Sequence, residues 1–382
     1  MKKIIRYTIS KILDIAFLFI EKLPLKADSV QNAVKYLKDA DYKFPPLWNN
    51  LPSLKFGSKV QLSLIIPVYN SEKYLRGCLM SILNQQTQYE YEVICINDGS
   101  KDNSLAILED MKKKFPDRLL VYNQENRGIS EARNRGIALA IGEYIGFIDN
   151  DDTVSPYYVE KIIDRAYETG ADFIQTAYRN VTPQGGVLGE ISHGDLVFDT
   201  SDVEVTLKEA QGYIWGGAIR RSIFEKLRFP VGFWYEDMIN RLVVLRLVKR
   251  IATIGDPLYF YLVHDMNASK ALWGSNGLKS MDHVWLARQL SEYSIHELKI
   301  PVDDILYTQL LLEYSLTLMF RMRKMDRQTR KAAFVIAADY IERLNYNYSG
   351  KDKYLRRSER ALKCNNYCAW LLNVKAQFFR GK

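Results

Sequence analysis

The stretch Leu62-Ser-Leu-Ile-Ile-Pro-Val68, followed by Tyr69-Asn70, decides the fold. It is an apolar run with Pro67 near its end and a polar turn behind it, the pattern of a strand buried on both faces. Working outward, strand and helix patterns alternate. A helix is predicted over about 73–84, a strand over 91–96, a helix over 105–114 and a strand over 119–122. A helix over 130–140, a strand over 144–148, a helix over 156–168 and a strand over 172–176 follow. This alternation implies a largely parallel α/β sheet.

The regularity fades after Ala177. Residues 182–189, with Pro-Gln-Gly-Gly, suit a hairpin or loop; 238–249 reads as a helix, and the chain beyond about 275 as mostly helices, among them 304–323 and 327–344. Ahead of the sheet, residues 1–60 form a preamble. Lys2, Lys3, Arg6 and Lys11 alternate with Ile4, Ile5, Ile9, Ile12, Ile15 and Phe19 as in an amphipathic helix, and a proline-containing stretch runs from Phe44 to Pro52. Three regions are expected: a preamble over 1–60, an α/β domain over 61–270, and a helical C-terminal region over 271–382.

With 382 residues, 47% of them hydrophobic and 26% charged, the chain is neither disordered nor of low complexity. Its formal charge of +8 favours anionic partners. Residues 351–382 hold nine Lys/Arg against two acids, interleaved with Trp370, Leu371, Leu372, Phe378 and Phe379. That tail reads either as an element for an anionic membrane surface or partner, or as helices packed on their own domain. The basic excess is not spread as an RNA-binding signature, so nucleic acid is not an expected partner. Four cysteines, Cys78, Cys95, Cys364 and Cys368, make no disulfide framework and read as reduced thiols in a cytosolic protein. No apolar run reaches the length of a membrane span, and Asp14 with Glu21-Lys22 argues against a signal peptide.

In an open parallel sheet, ligands bind beyond the carboxyl ends of the strands where the strand order switches. Three polar turns fall there: Pro67-Val68-Tyr69-Asn70, the Asn97-Asp98-Gly99-Ser100 cluster, and Asp149-Asn150-Asp151-Asp152. Clustered carboxylates need a compensating cation, and a divalent ion gripping a diphosphate would supply one. Asp-x-Asp puts two carboxylates on one side of a short extended segment. The alternative for this turn is a helix N-cap, for which Asp152 is the best candidate.

The segments LSLIIPVYNSEKYLRGCLMSILNQ (62–85), YEVICINDGSKDNS (91–104), NQENRGISEARNRGIALAIGEYIGFIDNDD (123–152) and WYEDM (234–238) together resemble the family 2 glycosyltransferases of GT-A fold. The likeness runs from about Leu62 to His264, roughly half the chain. It implies a Rossmann-like, largely parallel sheet flanked by helices, with an inverting transfer from a nucleotide-sugar donor, UDP-linked by expectation. Pro67, Val68, Tyr69 and Asn70 would flank the base and ribose, and Asp98 would accept from the base's imide N–H. Asn126, Gly128, Arg133, Asn134 and Asn150 would line the nucleotide and diphosphate. Asp149 would touch ribose and metal, Asp151 would be the main ligand of a divalent Mn²⁺ or Mg²⁺, and His264 a further one. In Glu236-Asp237, Asp237 would be the general base that takes the acceptor's proton, a role that suits a positioned carboxylate. The alternative for that pair is helix N-terminal acids favoured by the dipole. Trp215 could face the acceptor or simply pack.

No Gln-x-x-Arg-Trp segment follows Asp237, which points to addition of one or a few sugars rather than a processive polymer. The acceptor is expected to be a saccharide or glycolipid, as in bacterial surface polysaccharide or lipopolysaccharide assembly, with the protein on the cytosolic face of the membrane and room for self-association. A sugar-phosphate nucleotidyltransferase is the competing enzyme, but it wants a Gly-rich basic loop after the first strand, where Pro-Val-Tyr-Asn stands. A binding module for anionic surfaces ranks lower, and a Rossmann dehydrogenase lacks its G-x-G-x-x-G.

Overall fold

The computed structural model describes residues 2–44, 60–265, 267 and 277–380. Most of the proline-containing stretch, residues 45–52, lies outside the described residues. The chain divides into two compact units, Pro46–Gly232 with Glu236–Asn267, and Met1–Pro45 with Phe233–Tyr235 and Ala268–Lys382.

The α/β unit grows from β1 (Leu62–Val68), whose seven residues are all buried. It pairs in parallel with β2 (Tyr91–Asp98) on one side and β4 (Tyr144–Phe147) on the other. Beyond β2 lies β3 (Leu119–Gln124), also parallel. Helices α3 (Leu75–Leu83), α4 (Ser104–Lys114) and α5 (Ile129–Leu139) connect these strands. The chain therefore runs outward from β1 through β2 to β3 and then returns to the other side of β1 as β4, which makes the β1/β4 boundary the switch point.

The other half of the sheet is mixed. After β5 (Thr153–Val154) and α6 (Tyr158–Thr169), β6 (Phe173–Val181) turns into β7 (Val187–Ile191) through the hairpin that Thr182 closes on Gly186. β8 (Val197–Asp199) and α7 (Val203–Glu209) lead to β9 (Gly217–Arg220), which lies antiparallel to both β4 and β6. β10 (Arg250–Leu262) runs parallel to β6 and closes the order β3-β2-β1-β4-β9-β6-β10-β5. The predicted helix over 238–249 is present over 238–247, with a π-turn at Asn240–Val244 leading into α8 (Leu245–Leu247). The buried Asn240 holds this turn by donating to the Gln211 and Tyr213 carbonyls at 3.0 and 2.8 Å.

The helical unit corrects the view of the N-terminus as a separate preamble. It contains α1 (Lys2–Ile20), α2 (Val30–Asp39), α9 (Asp282–Glu292), α10 (Asp304–Leu312), α11 (Leu318–Arg321), α12 (Arg327–Arg343), α13 (Lys353–Lys363) and α14 (Tyr367–Arg380). Helix α1 packs along α14, and Ser10 Oγ donates to the Ala376 carbonyl at 2.9 Å. The like charges of the tail need acids, and α1 brings one: buried Asp14 accepts from Lys353 at 2.9 Å and from Arg357. Just beyond α1, Glu21 pairs with Arg360 at 3.0 Å. The tail's Trp370 is buried, stacks on Tyr367 and donates to the Tyr314 carbonyl at 2.9 Å. Of the two readings of the tail, the structure favours helices packed on their own unit. Asp326 and Asp352 cap α12 and α13 by accepting from two backbone N–H groups each. Cys78 and Cys95 are buried as expected, whereas Cys364 and Cys368 are exposed; all four are free thiols. Among the described residues no helix is long and apolar enough to cross a membrane.

Burial alone would raise the Asp14 carboxyl, but the hydrogen bonds from Lys353 and Arg357 outweigh it and hold it below the ordinary value. A carboxyl depressed by folding stabilises above its unfolded pKa, and that contribution fades as pH falls through the folded value. Asp14→Ala should therefore cost about 2 kcal/mol at neutral pH, with the deficit shrinking in acid. Chemical denaturation of both proteins at pH 7 and below pH 3 checks it.

Candidate active site

The three turns at the carboxyl ends of β1, β2 and β4 are tied to one another. Asn150 donates its amide to the Pro67 carbonyl at 2.8 Å, joining the turn after β4 to the end of β1 across the switch point. Asn70, at φ 48°, donates its N–H to Ser100 Oγ at 3.1 Å and accepts from Lys101 N–H at 2.8 Å. Val68 is buried in the sheet, while Tyr69 is exposed.

Asp98 closes β2, inside the strand rather than in the turn behind it. Its carboxylate is buried and accepts from Gln124 Nε2 at 2.8 Å, Arg127 N–H at 2.9 Å and Gly128 N–H at 2.8 Å. Gly99 takes φ 68°, and a Cβ there would stand 2.7 Å from the Asn126 backbone nitrogen. Only glycine admits both the turn and the close approach. Residues 126–128 are thus pressed onto the end of β2, and Gly128, at φ 87°, starts α5.

Helix α5 then delivers Arg133 into the interior. Its guanidinium is 2% exposed and donates to Glu236 at 2.7 Å and to Asp149 at 3.2 Å. It rests on the Phe229 ring, 5.2 Å from the centroid. Burial alone would lower its pKa, but the charges of Glu236, Asp149 and Asp237 raise it instead. One cation thus gathers acids from two distant segments. Burial pushes Asp149 up to about 6 against the pull of Arg133, with Asp151 and Glu236 adding to the rise. The two terminal nitrogens of Arg133, Nη1 and Nη2, both face carboxylates. Asn134 engages backbone. Its buried amide donates to the Phe229 carbonyl at 2.9 Å and accepts from the Phe229 N–H at 2.8 Å, a reciprocal clamp.

Asp151 lies 2.8 Å from His264 Nε2. The imidazole packs on Tyr74, 4.6 Å between centroids, and its backbone N–H is held by Asn267 at 2.6 Å. Among the described residues no three His, Cys, Asp or Glu side chains form a ready cage for a metal. Asp149, expected as a ligand, is engaged by Arg133. Asp151 and His264 remain a two-donor set, which suits a cation that takes its other ligands from water and substrate phosphates. Asp152 is no helix cap. It is fully buried and accepts from Tyr259 Oη at 2.6 Å and Leu262 N–H at 2.7 Å, fastening the acidic turn to β10.

Glu236 and Asp237 are partly exposed and open the turn into the π-segment, with Glu236 and Asp237 carbonyls accepting from Ile239 and Asn240. Tyr235 before them adopts φ 67°, a conformation that costs a bulky residue on the order of 1–2 kcal/mol. Sequence reading missed one further group. The Trp215 ring stacks on Tyr213, Tyr259 and Tyr261 at 4.6, 4.7 and 5.5 Å, and Tyr178 meets it edge-on at 5.0 Å. The sequence points to Trp215 alone, because its partners come from β6, β10 and the loop before β9, and no local spacing links them.

A parallel half-sheet with an acidic rim at its switch point, continued by a mixed half, is the GT-A fold, and solved structures bear this out. Staphylococcus aureus TarS residues 1–349 in complex with UDP-GlcNAc superimpose with a TM-score of 0.66 over 85% of this chain and 93% of that one, at 19% identity. Residues 63–228 match the model for Glycosyl transferase family 2. It is 29% identical over 310 residues to the glycosyltransferase GlyA of Streptococcus pneumoniae, covering 73% of this chain and 44% of GlyA. It is 33% identical over 215 residues to the putative glycosyltransferase EpsH of Bacillus subtilis, covering 53% and 61% respectively. The chain thus spans about half the length of these relatives.

Removing Arg133 leaves Asp149 and Glu236 facing each other without a cation. Arg133→Met should cost about 3 kcal/mol, and the added change Glu236→Gln should recover part of that loss. Urea unfolding of the single and double variants reads this coupling; simple additivity would show that the three groups do not act together.

Proposed function

We propose that the chain is an inverting, metal-dependent glycosyltransferase that moves a sugar from a nucleotide donor, UDP-linked by preference, to a saccharide or lipid-linked acceptor. The observation that carries this reading is Arg133 bridging Asp149 and Glu236, the latter 103 residues away in sequence. It brings the Asp149–Asp152 turn and the Glu236-Asp237 pair to one place.

A carboxylate offers about four lone-pair sites, and three on Asp98 hold Gln124, Arg127 and Gly128. The remaining one suits the imide N–H of uracil, next to a loop already in position. Pro67 and Asn150 shape the neighbouring wall across the switch point. Asp151 and His264 would hold the divalent cation, Mn²⁺ or Mg²⁺. When bound, the cation stabilises the charge that grows on the departing diphosphate.

Glu236 is committed to Arg133, so it positions rather than reacts. Its neighbour Asp237 takes the proton from the acceptor hydroxyl as that oxygen attacks the anomeric carbon, a role that suits a carboxylate. Arg133 acts on both acids at once, which makes it a positioning residue. Direct displacement of this kind needs no enzyme nucleophile and inverts the anomeric centre. The stacked rings of Tyr213, Trp215 and Tyr261 offer an apolar face of the sort that carbohydrate rings pack on. A nucleotide-sugar donor and free thiols suit the cytoplasm.

Asp237→Asn should leave UDP binding unchanged by calorimetry while lowering transfer by about 10²–10⁴-fold. Full activity in that variant would reject the assigned base. A panel of nucleotide sugars, scored by donor hydrolysis with and without Mn²⁺, identifies the donor.

A further inference from the structure

Helix α1 is inside out. The face it turns to its own unit carries Ser10, Asp14 and Phe17, all buried, with Asp14 neutralised by Lys353 and Arg357. Phe17 lies under the Arg357 and Arg360 guanidinium groups at 4.9 and 5.8 Å. The opposite face is apolar and open. Ile5, Ile12, Ile15 and Phe19 are 52, 60, 57 and 70% exposed, and Leu23 and Leu25 continue the exposed apolar surface past the helix. Side chains at these spacings share one side of a helix. An ordinary surface helix has the reverse arrangement, and a strip of large apolar groups in water marks a docking surface.

The charges choose the occupant. Between Met1 and Ala27 the sequence has six cations, Lys2, Lys3, Arg6, Lys11, Lys22 and Lys26, and two acids, Asp14 and Glu21. Both acids are already used inside the unit, Asp14 by Lys353 and Arg357 and Glu21 by Arg360. Arg6, Lys11, Lys22 and Lys26 are exposed, so the apolar strip is flanked by positive charge with no exposed acid among the described residues of this stretch. A second copy of the chain would set this positive rim against itself. An anionic lipid surface complements it, taking the strip among acyl chains and the lysines among headgroups. The 19-residue helix is about 28 Å long and falls short of the apolar character of a spanning segment, which fits a helix lying in the interface plane.

We propose that the outward face of α1, rather than the basic tail, docks the protein on an anionic membrane. The tail's part is internal: Lys353, Arg357 and Arg360 neutralise Asp14 and Glu21, so that neither acid of the α1 region opposes the outward cations. This does not depend on the catalytic reading, because binding is measured without donor or acceptor.

The test is co-sedimentation of the full chain with phosphatidylcholine vesicles, with and without phosphatidylglycerol. The chain should sediment with the anionic vesicles, less with the neutral ones, and less at high salt. Ile12→Ser with Phe19→Ser, both exposed and outside the core, should weaken binding at least about tenfold. Lys11→Glu with Lys22→Glu leaves every apolar group in place and should also weaken it by about tenfold or more. Failure to sediment with anionic vesicles, or binding by both double variants equal to that of the unmodified chain, would overturn the proposal. So would a solution dimer that Ile12→Ser with Phe19→Ser dissolves, since a second copy would then be the occupant.

Discussion

The buried guanidinium of Arg133 is the interaction on which the rest of the site depends. A cation with 2% exposure is tolerated only where anions surround it, and the fold provides them from two places. Asp149 arrives because β4 ends beside β1, and Glu236 because the Asn134 amide clamps the backbone at Phe229 a few residues earlier. Helix α5 therefore works twice: the residues that lead into it are held by Asp98, and its middle holds the acids. The charges are arranged before any ligand arrives, and such prior arrangement is how proteins lower the cost of reorganising polar groups during a reaction.

Much of the α/β core was legible because strands buried on both faces announce themselves. Leu62–Val68 coincides with β1, and the helix–strand alternation to Thr176 has direct counterparts, since each element is short and apolar. The second half was harder for a physical reason. Strands β7 and β9 lie antiparallel to β6 and β8 lies antiparallel to β10, joined by irregular connections, and their order in the sheet is not their order in the chain. The same limit governs the site. Residues such as Asp98, Asp149 and Asp151 could be found from spacing, because each stands at the end of a strand or just behind one. What each side chain does could not. The commitment of Asn134 to backbone, of Asp152 to Tyr259 and of Arg133 to two acids are long-range pairings, and a sequence read locally contains no trace of them.

The helical unit shows a similar trade between local and distant signals. Basic–apolar alternation at both termini was visible, but not which one keeps its apolar groups in water. The answer rests on Asp14, a single acid that turns what would be the polar side of α1 inward by giving the tail's cations a partner.

On the proposed reading, Asp98 links recognition to rigidity. Its carboxylate anchors the backbone of residues 127 and 128, so a molecule that settles on its last acceptor site also steadies that anchor. Whatever binds the native form alone raises its resistance to heat by mass action. Nucleotide preference should therefore be readable as a melting shift in a chemically dead protein, with no turnover to follow and no acceptor in hand.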